Sequence, residues 1–279
     1  MVLDVLLITT TLIVLTIAAY ADLKSREIPD WLNFSFIAAA FGIRGIISTT
    51  LGWQIFLAGL IGFVVCFALA CLFYYSNQWG GGDSKLLMGM GSAIGISLPL
   101  SAESLDLLWF FLALLFFGAI WGIFWMIAVA IKKRHLFIVR LKKSLEEQRV
   151  FHLVMGVGTS LLIVLSLIYS FLWPLILFPA IIFYSIIFVT SVEKSCFFVR
   201  KKSSELTEGD WLAENATKNG KRIVTKRTLT KNDIELLKSK KITSVLIKEG
   251  IPFVPSFLIA YLVIKFFSSL MSRILQAIF

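Results

Sequence analysis

The sequence predicts an all-α polytopic membrane protein with about eight transmembrane helices, its amino terminus outside, and a small α+β cytosolic module before the last helix. Three observations carry that expectation. Hydrophobic residues make up 58% of the 279 residues and charged residues only 16%, against about 25% charged in soluble domains. The missing charge is concentrated in long uncharged runs rather than thinned evenly. The basic residues fall between those runs, as the positive-inside rule requires of cytoplasmic loops. An ordinary water-soluble enzyme is excluded.

A helix needs about 20 apolar residues to cross a bilayer, and only helices and closed barrels satisfy their backbone groups in lipid. Eight runs qualify as candidates: 2–21, 31–47, 53–75, 84–100, 107–131, 152–171, 173–192 and 255–279. The start, Met1-Val2-Leu3-Asp4, lacks the basic region of a cleavable signal peptide, so the first run is expected to be retained. The fourth run is the shortest, and Gly89, Gly91 and Gly95 give it a small-residue face for close helix packing.

With the amino terminus outside, the segments 22–30, 76–84, 132–151 and 193–254 face the cytoplasm and carry 23 of the 27 Lys and Arg residues, and Lys85 lies at their edge. Glu103 and Asp106 lie on the opposite side. Arg44, Lys265 and Arg273 fall inside apolar runs and must snorkel or face protein. The net charge of +10 is therefore a topology signal, with the lipid bilayer rather than nucleic acid as partner.

The expected organisation is 1–192 as seven membrane helices with their loops, 193–254 as a small basic cytosolic module, and 255–279 as a final membrane helix. Within the module, Thr230-Lys-Asn-Asp233 reads as a capping box and Ser244-Val-Leu-Ile-Lys248 as a strand. Cys66, Cys71 and Cys196 form no C-x-x-C pair, so neither a disulfide framework nor a zinc knuckle is built from them. Cys66 and Cys71 read as packing residues. His135 and His152 lack metal-ligand spacing, and the sequons at Asn33 and Asn215 lie in the membrane or on the cytoplasmic side.

Two carboxylates stand out. Asp22 ends the first run, and Asp83 opens the fourth after Gly80, Gly81 and Gly82. The topology puts both at one membrane face. Hydrolysis of a peptide bond by carboxylates needs two near one water, one ionised to take its proton and one protonated to polarise the carbonyl. Two such groups side by side share a proton and titrate as a unit. The glycines allow positive φ and close approach of an extended strand, and a helix start favours the ionised form of Asp83, which is therefore expected to be the more acidic partner. The plainer reading stays open: an interfacial Asp near Lys24 and Arg26 also ends a helix, and Gly-Gly-Gly-Asp also makes a turn with an N-cap.

Gly80-x-Gly82-Asp83, continued as Ser-Lys-Leu-Leu-Met-Gly-Met-Gly91, together with Asp22 and Ile28-Pro29-x-Trp31-Leu32, strongly resembles the GxGD aspartic proteases that process type IV prepilins and archaeal preflagellins. Gly250-Ile-Pro-Phe-Val-Pro-Ser-Phe257 is similar to that family's entry into its last span. A bare G-x-G-D is weak; the ordered set, spread over nearly the whole chain, is specific. The resemblance implies Asp22 and Asp83 as the catalytic pair, no cofactor, and cleavage at the cytoplasmic face of the plasma membrane. The implied substrates are precursor pilin or archaellin subunits, cut between a short basic leader and a hydrophobic helix. Bacterial relatives often carry a cysteine-containing domain after the first span and N-methylate the product. Here eight residues separate Asp22 from Trp31 and no such cysteines occur, so methyl transfer is not expected and an archaeal origin is.

Gly80, Gly81, Gly82 and Lys85 are the expected substrate-side residues. Lys24, Arg26 and Lys85 also suit snorkelling anchors. Glu27 and Asp30 suit either a basic leader or a solvated loop face, and Pro252 and Pro255 either line the cleft or set the entry to a helix. Two rivals remain. An ion-coupled transporter would use Asp22 and Asp83 as proton-relay carboxylates, which are expected near the bilayer middle. A presenilin-like signal peptide peptidase shares G-x-G-D but carries a Pro-Ala-Leu motif that this chain lacks.

Overall fold

The computed structural model describes residues 2–76, 78–99, 102–218, 220–225 and 228–278, without the side chains of 102–103, 221 and 267–278. The chain divides into two compact units, one formed by 1–123 with 251–279 and the other by 124–250.

The first unit holds α1 (Val2–Ser25), α2 (Asp30–Leu51), α3 (Gln54–Tyr75), α4 (Gly81–Ile94), most of α5 (Asp106–Lys132) and α10 (Val254–Ile278). Its most extensive packing is between α3 and α4, and α2 packs on α4 while α1 packs on α2 and α10. Leu15, Phe36, Leu86, Leu87, Met90, Phe110 and Phe257 fill the core. The helices start and stop where the chain gives a reason. Gly52, at φ 103°, ends α2 and Gly95, at φ 75°, ends α4, because glycine alone enters that region without a Cβ penalty. After α1, Arg26 takes the left-handed conformation at φ 61° and its N–H closes on Asp22 O at 2.9 Å.

Among the described residues six helices are long and apolar enough to cross a membrane: Val2–Ser25, Asp30–Leu51, Gln54–Tyr75, Asp106–Lys132, Arg149–Ile168 and Ser170–Cys196. The protein is a multi-pass membrane protein, and six of the expected eight runs reach spanning length among the described residues. The fourth apolar run forms only the 14-residue α4, because Gly95 stops the helix. The eighth lies in α10 (Val254–Ile278), whose described side chains run to Phe266 and are apolar over Val254–Phe266, and Arg273 lies outside the described side chains. Lys265 pairs with Asp106 at 2.8 Å, and Arg44 is buried in protein, so neither charge faces lipid alone.

The second unit contains α6 (Arg134–Glu147), α7 (Arg149–Ile168), a 3-10 turn over Ser170–Leu175, and α8 (Phe178–Cys196). The expected loop 132–151 is therefore mostly helical. Its dense charge masks an amphipathic pattern, and Phe137 packs edge-on against Phe188 of α8 at 5.6 Å. The strands follow: β1 (Phe198–Lys202), β2 (Trp211–Leu212), β3 (Ala216–Lys218), β4 (Lys221–Val224) and, after α9 (Lys231–Ser239), β5 (Ser244–Lys248). Strand β5 pairs antiparallel with both β1 and β2, and β3 pairs with β4. The α+β module has its own small core of Leu212, Leu229, Ile234, Leu237, Val245 and Ile247. The capping box forms as expected: Thr230 N–H donates to Asp233 Oδ2 at 3.0 Å and Asp233 N–H to Thr230 Oγ1 at 3.3 Å. The cysteines are free, with Cys66 and Cys196 buried.

Candidate active site

Asp22 lies in the last turn of α1 and is only 6% exposed. Beyond Arg26 the chain doubles back, so that Ile28 is buried and Pro29 precedes α2. Ile28 lies against the start of α4: a Cβ on Gly82 would stand 3.3 Å from the Ile28 Cβ. Asn33, fully buried on the first turns of α2, donates from Nδ2 to Gly82 O at 3.4 Å, while its Oδ1 has no hydrogen-bond partner. The segment 22–33 thus wraps over the first turn of α4, which carries Asp83.

The glycine run works by size rather than by unusual backbone angles. Gly80 is the N-cap of α4 with extended geometry (φ −71°, ψ 162°), Gly81 and Gly82 are helical, and none of the three has positive φ. The expectation of positive φ there is corrected: Gly80 is extended, and Gly81 and Gly82 already have helical geometry. What demands glycine is Ile28 beside Gly82.

The carboxyl-terminal segment supplies the third wall. Val254 N–H donates to Asp22 Oδ2 at 2.9 Å, joining residues 232 positions apart. That segment is held in turn by Trp121, whose Nε1 donates to Pro252 O at 2.7 Å. Trp79 stacks on Phe73 with centroids 4.7 Å apart and also meets Phe253 at 5.4 Å and Phe257 at 5.8 Å. An aromatic cluster thereby links the residue before the glycine run to the start of α10. Neither Asn33 nor the Val254 N–H was found in the sequence. The Gly250–Phe257 similarity pointed to the right segment, but no sequence signal singles out a main-chain donor.

Burial, and then the neighbouring Asp22 charge, raise the Asp83 carboxyl from 3.8 to about 7, and a backbone hydrogen bond at Gly80 opposes them only in part. The helix-start argument for a more acidic Asp83 is therefore outweighed, because desolvation and a like charge exceed a terminal dipole. The residue as a whole stays partly exposed while its carboxyl is enclosed. Two carboxyls within electrostatic reach can hold one proton between them, the state that water-mediated peptide hydrolysis requires.

The remaining candidates are already engaged. Lys85 Nζ binds Asp30 Oδ1 at 2.6 Å and lies 5.5 Å from the Phe34 ring centroid. Lys24 lies over Tyr20 at 5.8 Å, and Glu27 is exposed. His152, in the second unit, contacts Tyr184 Oη at 3.2 Å. Among the described residues no group of three His, Cys, Asp or Glu side chains is arranged to hold a metal ion.

Residues 9–127, which carry both aspartates, match the type IV leader peptidase family. The chain is 38% identical over 82 residues to a preflagellin peptidase of Methanococcus maripaludis, covering 29% of this chain and 35% of that one. It is 38% identical over 81 residues to a preflagellin peptidase of Methanocaldococcus jannaschii and 33% identical over 81 residues to one of Methanococcus voltae, covering 29% of this chain and 34% of each relative. The matches thus span about a third of the length of these relatives. No solved structure matches. Over residues 9–127, the chain is similar to the type IV leader peptidase family.

Proposed function

We propose that this chain is a membrane aspartic endopeptidase that removes the basic leader from preflagellins at the cytoplasmic face of the plasma membrane. The observation that supports the reading is the electrostatic coupling of Asp83, at the start of α4, to Asp22, at the end of α1, within residues 9–127. The preflagellin substrate rests on the relatives' names, and the cytoplasmic face on the distribution of Lys and Arg.

In this mechanism Asp83 begins protonated and Asp22 ionised, with one Asp22 oxygen held by the Val254 N–H. Water attacks the scissile carbonyl carbon and gives a proton to Asp22 as Asp83 passes its own to the carbonyl oxygen. The tetrahedral diol then collapses. Asp22 protonates the leaving amine, a diol hydroxyl returns a proton to Asp83, and the pair is restored with no net change. The substrate leader lies extended near Gly80 and Gly82, where side chains are absent, while its apolar helix stays in lipid.

Co-expression with an epitope-tagged preflagellin is the direct test. The expected result is a mobility shift lost in both Asp22→Asn and Asp83→Asn, each at wild-type abundance. A shift retained in either variant overturns the pairing. A shift seen with a prepilin and absent with preflagellin redirects the substrate assignment.

A further inference from the structure

At 14 residues, α4 is about 21 Å long, shorter than the ~30 Å hydrocarbon core. Its carboxyl end is buried against α2 and α3. The last four carbonyls of a helix have no partner within it, and unpaired carbonyls in an apolar interior are costly. Here all four are satisfied. Gly95 N–H donates to Gly91 O at 2.9 Å. Arg44, reaching in from α2, donates from Nε to Ser92 O at 2.8 Å and from Nη2 to Ala93 O and Ile94 O, both at 2.9 Å. Its Nη1 donates to Ile55 O of α3 at 2.9 Å, so one guanidinium joins three helices.

The residue is 5% exposed and space has been cleared for it. A Cβ on Gly59 would overlap its Cδ, and one on Gly95 would stand 2.7 Å from Nη2. A positive charge at a helix carboxyl terminus also complements the dipole. Arginine suits the task because its donors form a rigid planar fork that stays charged.

We propose that Arg44 is a positioning residue for Asp83, resting on the reading of Asp22 and Asp83 as the working pair. Helix α4 is continuous from Asp83 to Ser92, a rod of about 14 Å. Seating its far end fixes both the axial height and the rotation of its first turn. At the near end the side-chain ties to α2 are the 3.4 Å bond from Asn33 and the half-exposed Lys85–Asp30 pair. A slide or twist of α4 in its groove would move Asp83 relative to Asp22, whose own carboxylate is held by the Val254 N–H. Arg44 acts on the chemistry through α4 and touches neither carboxyl in this role.

The test uses the full chain in membranes with Arg44→Met and Arg44→Lys, and reads placement separately from activity. Placement is read in an Ile28→Cys/Gly82→Cys background, since a Cβ on Gly82 would lie 3.3 Å from that of Ile28, close to disulfide spacing. Mass spectrometry of the linked peptide pair distinguishes this bond from products of Cys66, Cys71 and Cys196. Arg44→Met is expected to lower the crosslink yield at least twofold. In the cysteine-free Ile28/Gly82 background it is expected to lower kcat at least tenfold, to leave KM within twofold, and to displace the alkaline limb of the pH profile. Arg44→Lys, which keeps the charge but not the fork, is expected to fall between. Wild-type crosslinking together with a wild-type pH limb in Arg44→Met overturns the proposal. If that variant does not accumulate, the same pair of results in Arg44→Lys overturns it. Because the crosslink needs no substrate, a wild-type chain that cleaves no precursor counts against the peptidase reading, while the crosslink still decides whether Arg44 sets the placement of α4.

Discussion

Gly89 and Gly91 on α4 and Gly156 and Gly158 on α7 occupy similar stretches of apolar sequence, yet they meet opposite surroundings. A Cβ on Gly91 would overlap Gly62 O of α3, one on Gly62 would overlap Gly91 O, and one on Gly89 would overlap the Phe36 ring. At Gly156 and Gly158 nothing lies within 4 Å. Small residues matter to helix association only where another backbone lies opposite. In the first unit the closeness serves an end, because it seats the short helix that carries Asp83. In the second unit α7 leaves Leu153, Val157 and Leu161 exposed, as suits a helix whose neighbour is lipid.

Substitutions at these glycines break the contrast most strongly. Gly62→Leu and Gly91→Leu each force a side chain into a facing carbonyl. They should cost about 3 kcal/mol, seen as loss of folded protein from membranes and of monodispersity after detergent extraction. Gly156→Leu and Gly158→Leu should leave both measures at wild-type levels; equal damage at the two sites would remove the distinction.

The next effect is on pH. Asp83 rises from 3.8 to about 7, so it binds its proton more tightly folded than unfolded. Its contribution to stability is fully present below the ordinary carboxylate range and is lost as pH climbs through about 7. Cleavage should fall about tenfold per pH unit above that point as the shared proton leaves, and the stability slope should vanish in Asp83→Asn. A flat profile from pH 6 to 9 would contradict the shared proton.

Smaller changes sharpen the comparison from the other side. Thr230→Ala removes the capping box of α9 and should destabilise the α+β module by about 1 kcal/mol, measured by proteolysis within 203–247, with cleavage unchanged. Least of all, Lys85→Gln breaks an exposed pair with Asp30 and should cost under about 1 kcal/mol. A fall in kcat beyond threefold would mean that Lys85 takes part at the site.

Local patterns were legible. The capping box at Thr230 and Asp233 and the strand over Ser244–Lys248 depend on neighbours in sequence, and both occur with the expected bounds. Asp22 at the end of one apolar run and Asp83 at the start of another were equally visible. Run length misled where a helix stopped early: the apolar stretch 84–100 gave a helix only to Ile94, because hydropathy does not register a glycine cap. In 132–151 the dense charge hid α6, whose Phe137 has its partner on α8.

Composition and charge order settled that this chain is a helical membrane protein, since lipid solubility and loop charge are sums over residues and need no geometry. The partners of Asp22, the raised affinity of Asp83 for its proton and the use of Arg44 as the cap of α4 came from packing. Each joins groups far apart in the chain, and their energies depend on distance and burial, which exist only once the helices have closed on one another.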